Sequence, residues 1–248
     1  MTIEARTVLV LGGTAEAREL AEHLAAEPRL RVVSSLAGRI ARPRLPVGEV
    51  RIGGFGGPAG LAAYLAANGV DAVVDATHPF AERISSSAVA ACERAGVQLL
   101  RLERPGWTER AGDRWQWADD VDHAARAIDP GRRVLLTTGR QGLAAFADRD
   151  DAWFLVRCVD EPQPPLPPHH ELLLDRGPYT LEGELALVDG HRIELIVTKD
   201  SGGTHTQAKL DAARERKLPV IVVRRPPRPD ATTVTTVDAA LRWARRHG

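Results

Sequence analysis

Short unbroken apolar runs alternate along the chain with stretches whose apolar positions recur at helical spacing. Residues 7–11, 31–36 and 72–75 are of the first kind, and residues 15–26, 60–67 and 81–95 are of the second. That alternation predicts βαβ units on a parallel sheet. Strands such as 8–11 and 193–197 show no in/out alternation, so both faces need cover, which helices on the two sides of a doubly wound sheet supply. The fold class is therefore α/β, with Rossmann-like, mainly parallel sheets flanked by helices.

The pattern also repeats. Residues 73–105 (VVDATHPFAERISSSAVAACERAGVQLLRLERP) resemble residues 196–226 (IVTKDSGGTHTQAKLDAARERKLPVIVVRRP) as strand, polar turn, helix, apolar strand and a final Arg-Pro. A helix follows each copy, over 120–125 and 236–241, each with an acidic residue suited to a helix N-terminus. Upstream, residues 8–13 are echoed by 134–139. Two similar halves are expected, residues 1–129 and 130–248, joined at the turn Asp129-Pro130-Gly131.

Composition narrows the class. At 248 residues the chain can form one large domain or two of about 120 residues. Its 44% hydrophobic and 27% charged content is that of a globular protein. No apolar run approaches the ~20 residues of a membrane span, and the N-terminus lacks the basic start and apolar stretch of about 7–15 residues found in a secretion signal. A cytoplasmic protein without membrane partners is expected. Lys+Arg 33 balances Asp+Glu 33, which removes the global attraction a non-specific nucleic-acid binder needs. Only Lys199, Lys209 and Lys217 of those basic residues are lysines. The arginine excess suits planar recognition of carboxylate or phosphate, and codon bias accounts for it equally well. Cys92 and Cys158 lie far apart without ligand spacing, and the adjacent His169-His170 has no third ligand, so no disulfide and no metal site are expected.

Gly12-Gly13-Thr14-Ala15-Glu16-Ala17 runs from the first strand into a helix. Glycine lets backbone approach a pyrophosphate, and the helix N-terminus favours its charge. Gly12 and Ala17 fit the outer positions of G-x-G-x-x-G/A, while Thr14 replaces the middle glycine and offers a hydroxyl for capping the helix or bonding a phosphate. A tight turn alone also accounts for Gly-Gly. The second strand brings no acid between Arg31 and Arg44; Ser34, Ser35, Arg39 and Arg42 suit a 2′-phosphate, which favours NADPH over NADH. The loops Gly53-Gly54-Phe55-Gly56-Gly57 and Thr77-His78-Pro79-Phe80 also follow strands. His78 is open to two readings, a hydrogen-bonded structural residue or a catalyst.

The second half places Thr137-Thr138-Gly139-Arg140 and Thr198-Lys199-Asp200-Ser201-Gly202-Gly203 at the matching strand ends, an arrangement of hydroxyls, cations and glycines suited to an anion. Arg157 ends a strand, and Arg176 follows a proline-rich loop; the alternative for both is a surface pairing with Asp160 or Asp175.

Seven segments in order, LGGTAEAREL (11–20), SSLAGR (34–39), GGFGG (53–57), DATHPFA (75–81), LTTGRQGL (136–143), LLDRGP (173–178) and VTKDSGG (197–203), resemble the precorrin-6A reductase family of cobalamin biosynthesis and its cobalt-precorrin-6A branch. The resemblance implies NADPH on the first Rossmann-like domain, the tetrapyrrole in a cleft between two domains, and an exchange of a strand between them. It also implies hydride transfer to an unsaturated carbon of the macrocycle with uptake of a proton, giving precorrin-6B. Acetate and propionate groups of that substrate suit Arg140, Arg157, Arg176, Lys199 and Lys209, beside Thr138, Gly139, Asp200, Ser201 and Gly202. The proton comes from Asp200, Lys199, Tyr179, His78 or solvent. A monomer or weak homo-oligomer is expected. Two rival readings are an NADP-dependent reductase of another anionic small molecule and a non-catalytic two-lobed NADP(H) sensor. Replacing Arg39 by Ala is expected to weaken NADPH far more than NADH in a binding titration; equal losses would refute the 2′-phosphate assignment.

Overall fold

The computed structural model describes residues 5–38 and 44–248. The chain runs β1 (Arg6–Leu11), α1 (Ala15–Ala25), β2 (Leu30–Leu36), β3 (Glu49–Ile52), α2 (Gly57–Ala67), β4 (Val70–Asp75), α3 (Glu82–Ala95) and β5 (Gln98–Leu102). It continues through β6 (Trp115–Ala118), α4 (Val121–Arg126), β7 (Arg133–Thr137), a 3₁₀ helix (Arg140–Phe146), β8 (Trp153–Cys158), β9 (His170–Leu174), α5 (Leu181–Gly190) and β10 (Leu195–Lys199). It closes with α6 (Ala208–Glu215), β11 (Val220–Val223), β12 (Thr232–Val234) and α7 (Val237–His247).

Two six-stranded sheets form, ordered β12-β5-β4-β1-β2-β3 and β6-β11-β10-β7-β8-β9. Every pairing is parallel. Both have the doubly wound order in which the strand that opens the βαβ series, β1 or β7, sits beside the strand three later, β4 or β10. The outermost strand beyond β5 and beyond β11 comes from elsewhere in the chain. β12 pairs with β5, Thr232 opposite Leu100, and β6 pairs with β11, Trp115 opposite Val220. One compact unit accordingly comprises Met1–Pro105 with Pro227–Gly248, and the other Gly106–Pro226.

The boundary expected at Asp129-Pro130-Gly131 therefore lies inside the second unit, between α4 and β7. The crossings fall after the two Arg-Pro pairs instead, Arg104-Pro105 and Arg225-Pro226. Each pair lies just past its strand, β5 ending at Leu102 and β11 at Val223, and proline, with no N–H for a ladder, prevents either strand from continuing. The helix that follows each pair, α4 or α7, is delivered with its strand. The repeat was visible in sequence; the reciprocal exchange was implied by the family resemblance and not by the pattern.

Two-sided cover is realised in the first sheet. Val8 and Val10 face a cluster with Leu20 and Leu24 of α1 and Ala240, Leu241, Trp243 and Ala244 of α7. Leu9 and Leu11 face the opposite side with Leu61 and Leu65 of α2 and Ala88 and Cys92 of α3. The strand's period of two sends neighbours to opposite faces, so an all-apolar strand requires both layers. In the second unit Leu135, Leu155, Ile196, Val220 and Val222 pack with Val188 of α5 and Leu210 and Ala213 of α6. Both cysteines are buried and free, and burial pushes the Cys92 thiol up to about 12. Among the described residues, no helix is long and apolar enough to cross a membrane.

Trp243 is 8% exposed and belongs to the C-terminal segment, yet it packs in the core of the first unit. Trp243→Ala is expected to cost about 3–5 kcal/mol in urea unfolding. Amide exchange should accelerate in β4 and β5 but not in β10 and β11; acceleration confined to β10 and β11 would contradict the exchanged arrangement.

Candidate active site

In the first unit the strand order reverses between β1 and β4, and ligands of such sheets bind beyond the carboxyl ends at that point. β1 leads into Gly12-Gly13-Thr14 and β4 into Ala76-Thr77-His78. Thr14 ties the two loops. As N-cap of α1 its Oγ1 accepts from Ala17 N at 3.1 Å, and it donates to Ala76 O at 2.8 Å. The capping role open to this hydroxyl is therefore present. Gly12 packs closely, since a Cβ there would lie 3.4 Å from Leu36 and 3.6 Å from Ala17. Gly13 has φ +117° with nothing within 4 Å of an added Cβ, so its backbone is left open for approach. Ala15 and Glu16 form the first turn of α1, and Glu16 is paired with Arg104 at 2.7 Å.

The β4 loop is fastened from below. Asp75, 1% exposed, accepts from Thr77 N at 3.2 Å and Thr77 Oγ1 at 2.6 Å, and it faces Arg101 at 3.7 Å. His78 accepts from Phe80 N at Nδ1, 3.2 Å, and Pro79 is buried. Of its two readings, the structural hydrogen bond is therefore present. The glycine loop is braced by Arg51, which donates to Gly53 O at 2.6 Å and Gly54 O at 2.7 Å and lies 3.8 Å over the Phe55 ring. Gly60 is required beneath it, because a Cβ would lie 1.8 Å from Phe55 O. Ser34 and Ser35 are buried inside β2, which ends at Leu36 as the apolar run over 31–36 predicts. Arg39 and Arg42 lie outside the described residues.

The second unit repeats the geometry between β7 and β10. Thr138 is buried, Gly139 has φ +74°, and exposed Arg140 opens the 3₁₀ helix. Lys199 ends β10 half-buried, and burial lowers its ammonium pKa. Ser201 N donates to Lys199 O at 2.7 Å, and Gly202 has φ +62°. These residues share one sheet edge, with Arg176 half-buried in the loop after β9. Other expected site residues lie deeper. Arg157 is 5% exposed and donates to both Glu184 oxygens at 2.5 and 3.3 Å, its guanidinium 4.0 Å over the Tyr179 ring. Its partner is thus a buried carboxylate on α5 and not Asp160 or Asp175, as a desolvated guanidinium requires. The Tyr179 hydroxyl donates to Asp175 O at 3.2 Å, and burial is the main cause of its raised pKa. Lys209, 3% exposed, donates to Thr206 O at 2.6 Å and lies 4.7 Å from the Trp107 ring centre. Asp200, 8% exposed, accepts from Trp107 N at 2.9 Å and faces Arg225 Nε at 3.2 Å. His170 Nδ1 lies 2.6 Å from Pro167 O. Among the described residues no group of three or more His, Cys, Asp or Glu is assembled for a metal ion.

Arg51, Arg101, Trp107 and Glu184 carry these loops, and the sequence motifs did not single them out. Arg51 alone left a signal, two positions before the glycine loop; the others come from remote segments or from helix positions with no local mark.

The chain matches the family described as Precorrin-6x reductase CbiJ/CobK over residues 7–245. It is 54% identical over 238 residues to a precorrin-6A reductase of Rhodococcus erythropolis, covering 95% of this chain and 96% of that protein. It is 48% identical over 239 residues to a precorrin-6A reductase of Mycobacterium tuberculosis, covering 95% and 96%. A solved structure of CobK precorrin-6A reductase superposes with a TM-score of 0.93 at 43% identity, covering 98% of this chain and 97% of that one.

Burial, with Arg157 adding to it, lowers the Lys209 pKa to about 7. Between about 7 and the unfolded value of about 10.4 the unfolded chain binds a proton that the folded chain does not, so stability should rise with pH across that window. Urea unfolding from pH 6 to 10 is expected to show this rise in the wild type and its loss in Lys209→Met.

Proposed function

Because the chain belongs to the precorrin-6x reductase family, we propose that it reduces one double bond of the precorrin-6A macrocycle in cobalamin biosynthesis, with NADPH as the reductant. The observation that carries this reading is the pair of similar sheets, each with a glycine-bearing loop at its own point of strand reversal. The first unit suits the dinucleotide. The open backbone at Gly13 and the N-terminus of α1 favour a pyrophosphate, and Leu36-Ala37-Gly38 at the tip of β2 offers no acid to repel a 2′-phosphate. Arg39 follows directly and is assigned to that phosphate. Gly53, Gly54 and Phe55, braced by Arg51, and Thr77, His78 and Pro79, held by Asp75, border the nucleotide.

The second unit is assigned to the substrate. Arg140, Arg176 and Lys199 meet its carboxylates, with Thr138, Gly139, Ser201 and Gly202 offering hydroxyl and N–H groups. Arg157 and Lys209 act from beneath, by holding Glu184, Tyr179 and the Thr206 turn. The nicotinamide, when bound, supplies the hydride. What remains for the protein is to hold the reacting carbons together, keep water out and deliver a proton. Lys199 is assigned as proton donor, because burial makes its ammonium a stronger acid than an ordinary lysine.

Following NADPH absorbance with purified protein tests the proposal. Consumption is expected only when the macrocycle is added. NADPH binding without macrocycle-dependent consumption would leave an NADP(H) sensor or a reductase of another substrate. Lys199→Ala should lower kcat about 100-fold while NADPH affinity is unchanged. In the wild type kcat should fall as pH rises through the Lys199 pKa, below the usual lysine value of about 10.4. Lys199→Arg should move that limb upward. A loss of NADPH affinity in Lys199→Ala would mean that the roles of the two units are reversed.

A further inference from the structure

Four groups converge on the loop after β10. The chain enters the second unit at Gly106-Trp107 and leaves it at Arg225-Pro226, and both segments are bonded to Asp200. The Asp200 carboxylate accepts from Trp107 N at 2.9 Å and faces Arg225 Nε at 3.2 Å, while its backbone carbonyl accepts from the same nitrogen at 3.1 Å. A Cβ at Gly106 would lie 2.5 Å from Asp200 Oδ2, so the incoming backbone is pressed against this side chain. The Trp107 indole then reaches past Asp200. Its Nε1 donates to Gly203 O at 3.0 Å, and its ring lies 4.7 Å from Lys209 Nζ, which donates to Thr206 O at 2.6 Å. The stretch from Lys199 to Thr206 is thereby held at both ends by residues from the crossing segment and from α6.

We propose that Asp200 is a positioning residue, not the proton donor, and that with Trp107 and Arg225 it forms a clasp by which the strand exchange shapes the substrate loop carrying Lys199, Ser201 and Gly202. Both carboxylate oxygens are engaged within the protein, and the side chain is 8% exposed, so its protein partners occupy the positions from which it would address a substrate. The exchanged segment thus completes the edge of the sheet and sets the conformation of a loop at the opposite side of β11. Trp107 specifies macrocycle binding from a position that the repeat assigns to the other half.

This inference rests on the assignment of the second unit to the substrate, so its test has one arm that needs no substrate. Trp107→Phe removes the indole N–H and keeps a ring beside Lys209; Asp200→Asn keeps the shape and removes the charge facing Arg225. In hydrogen exchange on the full unliganded chain, both variants are expected to accelerate the amides of residues 201–206 and leave those of 77–81 unchanged. Unchanged exchange at 201–206 in both variants would overturn the clasp. In turnover, Trp107→Phe should raise KM for the macrocycle about two- to tenfold, the loss expected for one hydrogen bond, with kcat within about twofold and NADPH affinity unaltered. Asp200→Asn should retain turnover with the alkaline limb of the wild type. Abolished turnover in Asp200→Asn beside an unchanged KM in Trp107→Phe would restore Asp200 as the proton donor and refute the proposal. A wild-type protein that fails to reduce the macrocycle would sink the functional assignment alone, because the exchange measurement still decides the clasp.

Discussion

A parallel strand left at the edge of a sheet exposes unpaired N–H and C=O groups along its length and an apolar face on each side. In this chain β5 and β11 would be such edges; β12, from beyond Arg225-Pro226, closes the first, and β6, which follows Arg104-Pro105, closes the second. The helix that accompanies the strand seals the adjacent apolar face, as α7 does with Ala240, Leu241, Trp243 and Ala244 in the first unit. The second unit is contiguous, Gly106–Pro226, whereas the first is built from two separate segments, Met1–Pro105 and Pro227–Gly248. The first lacks an edge strand and a covering helix until the last residues of the chain are added, so it cannot be completed before the second unit has been traversed by the chain.

The same crossings determine how the loops after β4 and β10 are held. Buried charge lies under both of them. In the first unit Asp75 fastens Thr77 and faces Arg101, whose guanidinium also donates to Pro229 O in the returning segment at 3.0 Å. In the second, Asp200 fastens Trp107 and Arg225. A buried ion pair adds little net stability, but leaving one partner unmatched is costly, so such pairs tolerate few alternative arrangements. That property holds a loop backbone in one geometry. Gly13, Gly139 and Gly202 supply the unusual backbone, and the buried pairs beneath keep it in place.

Much of this was legible from residues close together in the chain. The parallel α/β class, the duplication and the glycine loops at the strand ends all follow from local hydrophobic period and from Gly, Thr and Arg at strand ends. Thr14 illustrates a local reading resolved by a distant contact: its hydroxyl caps α1 and also reaches Ala76, 62 residues away. Ser34 and Ser35 show the converse. These polar residues lie within β2, and the packing of the sheet buries both of them. Arg157 and Lys209 were expected to meet the substrate's carboxylates, and the fold buries both beside Glu184, Tyr179 and Trp107.

The sequence by itself determined which segments are strands and helices, which loops carry glycine and charge, and that the plan occurs twice. These are properties of residues within one turn or one strand of each other, where steric and hydrophobic preferences act without knowledge of the rest. Only the tertiary structure decided which sheet each strand joins and which cations become buried. A ladder edge accepts any strand of suitable length and hydrophobicity, so β6 and β12 carry no local mark of the unit they complete. Whether an arginine meets solvent or a buried carboxylate likewise depends on a helix that packs over it from elsewhere, as α5 brings Glu184 to Arg157.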